Sequence, residues 1–421
     1  MATAVDVLVI GGGAVGINAA YRLAVRGLSV HVVDKGEVGM GSSYGNAGLV
    51  VPSHSIPLPA PGVMAQGLRW MFNQESPFYI KPRLDRQLAS WLWKFRGACS
   101  RAQVERAVPV ICELSMRSVG LFEELAALPG LEFDFEQCGI LLSCPDQETM
   151  KEGEKEAAHL RHVGREVDIL DGRQVAGLDV GVEVACVGGV YFHQDGHLSP
   201  YRFVSGLARK ANEAGAELHP QTEVLGFDRR GGQLAAVRTT RGVFAPRQVV
   251  LATGSWTPGL AAALGLRLPI QPAKGYSITF ARPSESPRLP IMLAGAKVAV
   301  TPMGDKLRFA GTLELAGMDF SINRRRVEAI MKAVPQQLPQ LDPRGMQLEE
   351  IWCGLRPCTP DGLPFIGRAR GRASPRNLVV AAGHAMIGLS LGPITGHLVS
   401  QVVLDEKPDV ELAPLAVDRF A

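Results

Sequence analysis

"VDVLVIGGGAVGINAAYRLAVRGLSVHVVDKG", residues Val5 to Gly36, decides how this chain folds. Val7 to Ile10 is an unbroken apolar run, the pattern of a parallel strand covered on both faces. Ala19, Ala20, Leu23 and Ala24 then recur at helical spacing, Gly27 ends the helix, and Ser29 to Val33 resumes a strand. The three pieces make a βαβ unit. At its turn Gly11, Gly13 and Gly16 form G-x-G-x-x-G. Gly11 permits the tight turn, and Gly13 lets the backbone approach a pyrophosphate. Ala14 and Val15 open a helix whose N-terminus faces the phosphate charge, and Gly16 allows close helix packing. Asp34, followed by Lys35, stands where a carboxylate for ribose hydroxyls is expected, about 20 residues further on. An acid there disfavours a 2′-phosphate, so FAD or NAD is expected rather than NADP.

Outward from this unit, "GSSYGNAGLV" (Gly41 to Val50) holds little that could fill a core. Ser42, Ser43, Asn46 and the backbone of Ala47, Gly48 and Leu49 suit a second phosphate and a ring edge, with an ordinary surface loop as the alternative. "TEVLGFDRRGGQLAAVRTTRGVFAPRQVVLATG" (Thr222 to Gly254) reads as three short strands and then a wholly apolar one, a meander returning to a buried sheet, with Val224 placed at the cofactor. "LATGSW" (Leu251 to Trp256) ends that strand in small residues, which points to Thr253, Gly254 and Trp256. "GHAMIGLSLGPITG" (Gly383 to Gly396) ends a further strand, Leu378 to Ala382, in a glycine-rich loop before a helix, which points to Gly388, Gly392 and Thr395. A helix N-terminus aimed at the pyrimidine edge of a flavin would stabilise the negative charge of reduction. Small-residue loops spread from residue 11 to 396 imply one extended cofactor crossed by most of the chain.

At 421 residues the chain exceeds the roughly 250 to 300 residues at which single cores stop growing, so two domains are expected. Its 44 basic and 41 acidic residues give a net +3 and no electrostatic case for nucleic acid. Seven cysteines lack the short paired spacings of a structural zinc site, so no metal is expected and the thiols are read as reduced, in a cytoplasmic protein. Asp6 interrupts the first apolar run, which argues against a signal peptide, and no window reaches the roughly 18 apolar residues of a spanning helix. Between Pro52 and Leu128, Trp70, Phe72, Trp91, Trp93 and Phe95 lie among Arg69, Lys81, Arg83, Arg86, Lys94 and Arg96. This tract reads either as aromatic packing or as a peripheral contact with the inner face of a membrane, where a quinone would be met. Further strands are expected at Gly139 to Cys144, Gly188 to Phe192, Ala273 to Phe280, Lys297 to Thr301 and Leu307 to Gly311. Helices are expected at Glu148 to Val163, Ser199 to Gly215 and Arg325 to Val334.

Taken in order, "GGGAVG", "SSYGNAG" followed by "PSHSIPLPAPGV", "LATGSW", "PAKGYSITF", "GLRPCTPDGLPFIG" and "GHAMIGLSLGPITG" cover nearly the whole chain. On these motifs the sequence resembles the D-amino acid oxidase superfamily of FAD-dependent amine oxidoreductases. The resemblance implies an α/β fold: an FAD-binding Rossmann-type (glutathione-reductase-like) domain from residues 1–55, 197–265 and 352–421, interleaved with an α+β substrate domain from 56–196 and 266–351. It implies that Arg356 holds an amino acid carboxylate through its bidentate fork, the alternative being a structural salt bridge. Tyr276 would assist at that carboxylate, or else be a core tyrosine. His54 would face the isoalloxazine, or else simply pack. FAD is expected to bind noncovalently, since Cys353 is one residue out of register with the position where some relatives tether their flavin. Cys353 and Cys358 flank Arg356 rather than following the first βαβ unit, which excludes a disulfide-reductase pair.

The implied reaction is oxidative deamination of a D-amino acid, with hydride passing from Cα to flavin N5 and the imine hydrolysing to a 2-oxo acid. Electrons would then reach a quinone or another acceptor. The alternatives are oxidation of cyclic imino acids or N-substituted glycines such as D-proline, 4-hydroxy-D-proline, sarcosine or glycine, and, from another class, a non-catalytic flavin-bound subunit.

Overall fold

The computed structural model describes residues 2–64, 67, 78–371 and 374–421. Arg69, Trp70 and Phe72, part of the expected aromatic and basic tract, lie outside the described residues. Thr3–Ile10 is the centre of the first sheet, with Val30–Val33 and Gly242–Leu251 parallel on either side. Glu217–His219 extends the sheet beyond Val30–Val33, and Leu378–Ala382 pairs parallel with the end of Gly242–Leu251. Gln233–Thr239 and Val224–Arg230 continue it as antiparallel strands, and Phe365–Arg368 pairs with Leu378–Ala382. The third short run and the apolar strand expected in the meander are one strand, Gly242–Leu251. Pro246 does not break it, because it falls between the stretch paired to Val237–Thr239 and the stretch paired to Leu378–Val380, where that edge has no strand beside it.

Both faces of this sheet are covered. Val7, Val9, Val30 and Val32 pack with Ile17, Ala20 and Leu23 of helix Ala14–Ala24 and with Phe203 and Leu207 of helix Pro200–Glu213. Leu8, Ile10, Val33, Val249 and Leu251 face Leu264, Leu268 and Phe365 on the other side. Helix Gly392–Val403 lies so close to Ala14–Ala24 that a methyl on Gly396 would come within 2.5 Å of the Asn18 backbone.

The second sheet runs in the order Leu348–Cys358, Gln271–Ala281, Lys306–Leu315, Val298–Met303, Ile291–Leu293, Ile140–Cys144, Gly188–Phe192, Val167–Asp171. Leu348–Cys358 pairs with Gln271–Ala281 from Leu348 to Cys358, so the division expected at residue 352 falls inside an unbroken strand. Arg308, 6% exposed, ties this sheet to the loop after the first βαβ unit: its Nη1 donates to the carbonyls of Tyr44 and Asn46, each at 2.9 Å.

The rest of the aromatic tract divides. Trp91 and Phe95, on helix Arg86–Ala98, are buried and stacked with centroids 4.8 Å apart, and the Trp91 indole N–H donates to the Cys358 carbonyl. Trp93, on the other side of the helix, is 74% exposed. The packing alternative therefore accounts for Trp91 and Phe95. Among the described residues no helix is long and apolar enough to cross a membrane. All seven cysteines are free.

One buried acid sets a pH dependence. Asp195, 1% exposed, accepts the Ser53 N–H at 3.0 Å and the Ser53 hydroxyl. Burial outweighs these bonds and pushes its carboxyl up to about 7. The folded chain thus holds this proton more tightly than the unfolded one. The stability that follows is fully present below the ordinary value of 3.8 and is lost as pH rises towards 7, at about 1.4 kcal/mol per unit of separation. Asp195→Asn keeps an acceptor and a donor for Ser53 and removes the ionisation. Its melting temperature should fall less between pH 4.5 and pH 8 than that of the wild type, and equal falls would count against the assignment.

Candidate active site

Two adjoining cavities lie between the sheets. The first, about 630 Å³, is lined by Gly11, Gly13, Ala14, Val15, Asp34, Lys35, Ser42, Ser43, Asn46, Val224, Thr253, Gly254, Trp256 and Gly388. All were expected at the cofactor. Gly11 sits at φ +110°, and a methyl there would stand 2.4 Å from the Ala252 carbonyl oxygen, so only glycine lets the turn lie against the neighbouring strand end. Asp34 is held by two backbone donors, Gly12 N–H at 2.7 Å and Gly36 N–H at 2.8 Å. Helix Ala14–Ala24 has Gly13 at its N-cap, so no cap side chain there, and no acid in its first turn; among the described residues only the Ala14 N–H is taken, by the Ser43 hydroxyl at 3.0 Å. Its positive end is therefore available to a phosphate. Lys35 lies over the Trp256 ring at 4.2 Å, and Phe320 stacks on that ring from the second sheet's side of the cavity.

The second cavity, about 420 Å³, is mostly apolar. Ala47, Leu49, His54, Leu58, Trp91, Phe95, Leu313 and Ile387 form part of its wall. It shares Ser42, Asn46, Trp352, Gly354 and Arg356 with the first. Trp352 was not anticipated from the sequence. Its indole lies across Gly354, where a methyl would stand 1.9 Å from the ring, and against Gly45, where one would stand 2.0 Å away. The only signal was the glycine two residues on, which alternation along a strand puts on the same face.

Arg356 opens onto both cavities. It pairs across the sheet with Ala273, and its guanidinium lies over Gly275, where a methyl would come within 2.0 Å of Nη1. Nη1 donates to the Thr312 carbonyl at 2.9 Å. Thr312 has φ +64°, unusual for a β-branched residue, and among the described residues its hydroxyl has no partner. No carboxylate among the described residues lies within ion-pair distance of Arg356, and burial pulls its guanidinium below the usual arginine range. This cation thus faces a cavity with its charge unmatched.

The other expected residues are placed differently. Tyr276 borders the apolar cavity, but it is 1% exposed and its hydroxyl is engaged elsewhere. It donates to Glu314 Oε2 at 3.0 Å and accepts the Asn323 N–H at 3.3 Å, beside Lys274 and Arg326. This is the core tyrosine of the two readings. Tyr276→Phe should lower stability by about 1–3 kcal/mol by stranding part of a buried carboxylate, while leaving flavin reduction near the wild-type rate. A large loss of reduction rate with an unchanged melting temperature would restore the hydroxyl to the substrate. His54 borders the cavity, with Nδ1 3.5 Å from the Ser53 hydroxyl, and burial holds it below the ordinary histidine range.

Gly16, Gly48, Gly392 and Thr395 do not line either cavity. A methyl on Gly16 would stand 1.9 Å from the Gly11 carbonyl, and one on Gly48 2.4 Å from the Leu198 carbonyl. Gly392 faces the Asn18 amide and serves helix packing, whereas the Thr395 hydroxyl pairs with Nε2 of the cavity-lining His384 at 3.0 Å. Burial draws His384, which does line the first cavity, down to about 3.

The family model described as FAD dependent oxidoreductase matches residues 6–402. The chain is 32% identical over 421 residues to a D-amino acid dehydrogenase of Granulibacter bethesdensis, covering 99% of each. It is 32% identical over 420 residues to one of Cereibacter sphaeroides, covering 98% of this chain and 95% of that protein. Among solved structures, glycine oxidase from Geobacillus kaustophilus shares the fold with a TM-score of 0.80 at 24% identity, covering 99% of each chain. The uncapped helix, the glycine turn and the paired Asp34 fit the phosphates and ribose of FAD, and the chain belongs to the FAD-dependent oxidoreductase family, with FAD as its cofactor.

Proposed function

We propose that this protein is a D-amino acid dehydrogenase that oxidises the Cα–N single bond of a free D-amino acid to an imine, the Cα–H electron pair leaving as hydride and a proton leaving the nitrogen. The observation that carries the reading is Arg356, a guanidinium at the junction of the two cavities with no carboxylate to balance it among the described residues. Bound FAD supplies the acceptor for the Cα hydrogen as hydride. The chain supplies binding and orientation. Arg356 takes the substrate carboxylate, and the Thr312 carbonyl fixes one arm of its fork so that the rest points into the cavity. The apolar walls exclude water and favour the neutral amine, whose lone pair must be free as the hydrogen leaves. His54, kept below its ordinary range by burial, adds little positive charge beside that amine.

The names of relatives aligned over the full length support the D-configuration and an electron acceptor other than oxygen, a quinone by our reading. The direct test is anaerobic mixing of the FAD-loaded protein with D- and L-alanine, D-proline, cis-4-hydroxy-D-proline, glycine and sarcosine. D-Amino acids should bleach the flavin. Bleaching by L-enantiomers alone would overturn the configuration, and bleaching by none would favour a non-catalytic flavin subunit. Reoxidation by a quinone analogue faster than by dissolved oxygen is expected, and the reverse order would make the protein an oxidase.

A further inference from the structure

At the open edge of the first sheet, away from both cavities' described walls, three side chains converge. His31 stands on Val30–Val33, and Glu217 and His219 stand on Glu217–His219, the parallel strand beside it. Residues two apart on a strand share a face, so Glu217 and His219 point the same way, and the register sets His31 opposite Glu217. His31 Nδ1 lies 2.9 Å from His219 Nε2 and 3.6 Å from Glu217 Oε2, and His219 Nε2 lies 3.7 Å from the same oxygen. The imidazoles lie nearly coplanar, 6° between planes and 5.1 Å between centroids, and meet edge to edge at those two nitrogens, so a shared ion requires each ring to swing slightly aside; Phe244 packs against both. The His31 side chain is 7% exposed, that of His219 31% and that of Glu217 64%, so the cluster has a dry floor and an open top.

We propose that His31, Glu217 and His219 form a binding site for a divalent transition metal ion, with water completing its coordination. Bonds of about 2.0–2.2 Å at tetrahedral angles place ligand atoms roughly 3.3–3.6 Å apart, and the observed separations of 2.9, 3.6 and 3.7 Å lie about that spacing. Two imidazole nitrogens and one carboxylate oxygen select zinc, nickel or copper over calcium or magnesium. The two ring nitrogens stand at hydrogen-bond distance, so one of them carries the shared proton. Metal entry needs both lone pairs. The donor ring therefore moves that proton to its other nitrogen, and two neutral imidazoles bind with no proton released.

The position gives the ion a consequence. The His219 carbonyl accepts the N–H of Asp34, the carboxylate of the cofactor cavity, at 3.2 Å, and Thr222 and Val224 of the same cavity follow His219 closely. A metal would clamp Val30–Val33 to Glu217–His219 just before both reach that cavity.

Zinc titration of the FAD-loaded protein by calorimetry tests the site, with His219→Gln and Glu217→Gln as variants at the more exposed positions and His193→Gln as a control at an exposed histidine paired with Asp168. Wild type and His193→Gln should take up one zinc per chain with the same affinity and gain melting temperature. Disturbing a ligand's supporting partner alone costs roughly 10- to 100-fold in metal affinity, so His219→Gln should lose at least that much. Glu217→Gln should lose affinity to a smaller degree. FAD content, read from flavin absorbance, confirms that each variant is folded. Absence of stoichiometric uptake by the wild type, or uptake by a folded His219→Gln protein with unchanged affinity, overturns the proposal.

Discussion

Arg356→Ala is expected to keep its full complement of FAD and lose most of its turnover. The residues that would meet the phosphates and ribose are Gly11, Gly13, Ala14, Val15, Asp34 and Ser43 on the cavity wall, and none of them is hydrogen-bonded to the guanidinium. What is lost is a charge-assisted pair in a site walled by apolar side chains. Such a loss costs on the order of 2–5 kcal/mol, or roughly 30-fold to several-thousand-fold in kcat/KM. Arg356→Lys keeps the charge but not the planar fork, and a single ammonium cannot hold the Thr312 carbonyl and a carboxylate in the same geometry, so recovery should be partial. Flavin reduction rates against substrate concentration for the three proteins decide the matter. Near-normal kinetics in the alanine variant with full FAD occupancy would return Arg356 to a structural role.

Gly11→Ala should act on the opposite half of the reaction centre. The residue would be held at φ +110° with its methyl 2.4 Å from the Ala252 oxygen, a contact with backbone that cannot swing aside. Strained φ and overpacking each cost about 1–3 kcal/mol, together on the order of 2–6 kcal/mol, or roughly 30-fold to more than ten-thousand-fold if it falls on FAD binding. The variant should purify largely colourless, with a lowered melting temperature. FAD at one per chain and an unchanged melting temperature would show that the turn relaxes without cost.

The cofactor half of this arrangement was legible because its information is local. A glycine turn between strand and helix, an acid at the next strand end and small residues at later strand ends each carry their own backbone requirement, and fourteen of the expected positions line one cavity. The failures came where meaning depends on which face a strand presents. Gly275 and Tyr276 are neighbours on one strand and therefore point to opposite faces, one under Arg356 and the other towards Glu314. No pattern in "PAKGYSITF" says which face meets the substrate. The same limit hid Trp352. Gly392 and Thr395 stand off the cavity for another reason: a glycine-rich helix start serves a phosphate or a neighbouring helix equally well, and here Gly392 meets Asn18 while Thr395 reaches the cavity only through His384. His31 and His219 stand 188 residues apart on separate strands, and the three residues of Glu217–His219 are too few to announce theirs, so cysteine spacing could not have found the pair.

The strand Leu348–Cys358 begins among the antiparallel strands of the second sheet and ends at a bridge between Cys358 and His384 in the cofactor loop, passing Trp352, Gly354 and Arg356 on the way. Anyone recombining this protein with a relative to change its specificity would find no clean crossover within that stretch. A chimaera joined at residue 352 would set the register of one parent's sheet against the carboxylate grip of the other. Junctions before Leu348 and after His384 would transfer grip and cofactor wall as one heritable block, so specificity and flavin environment should travel together when such proteins are shuffled.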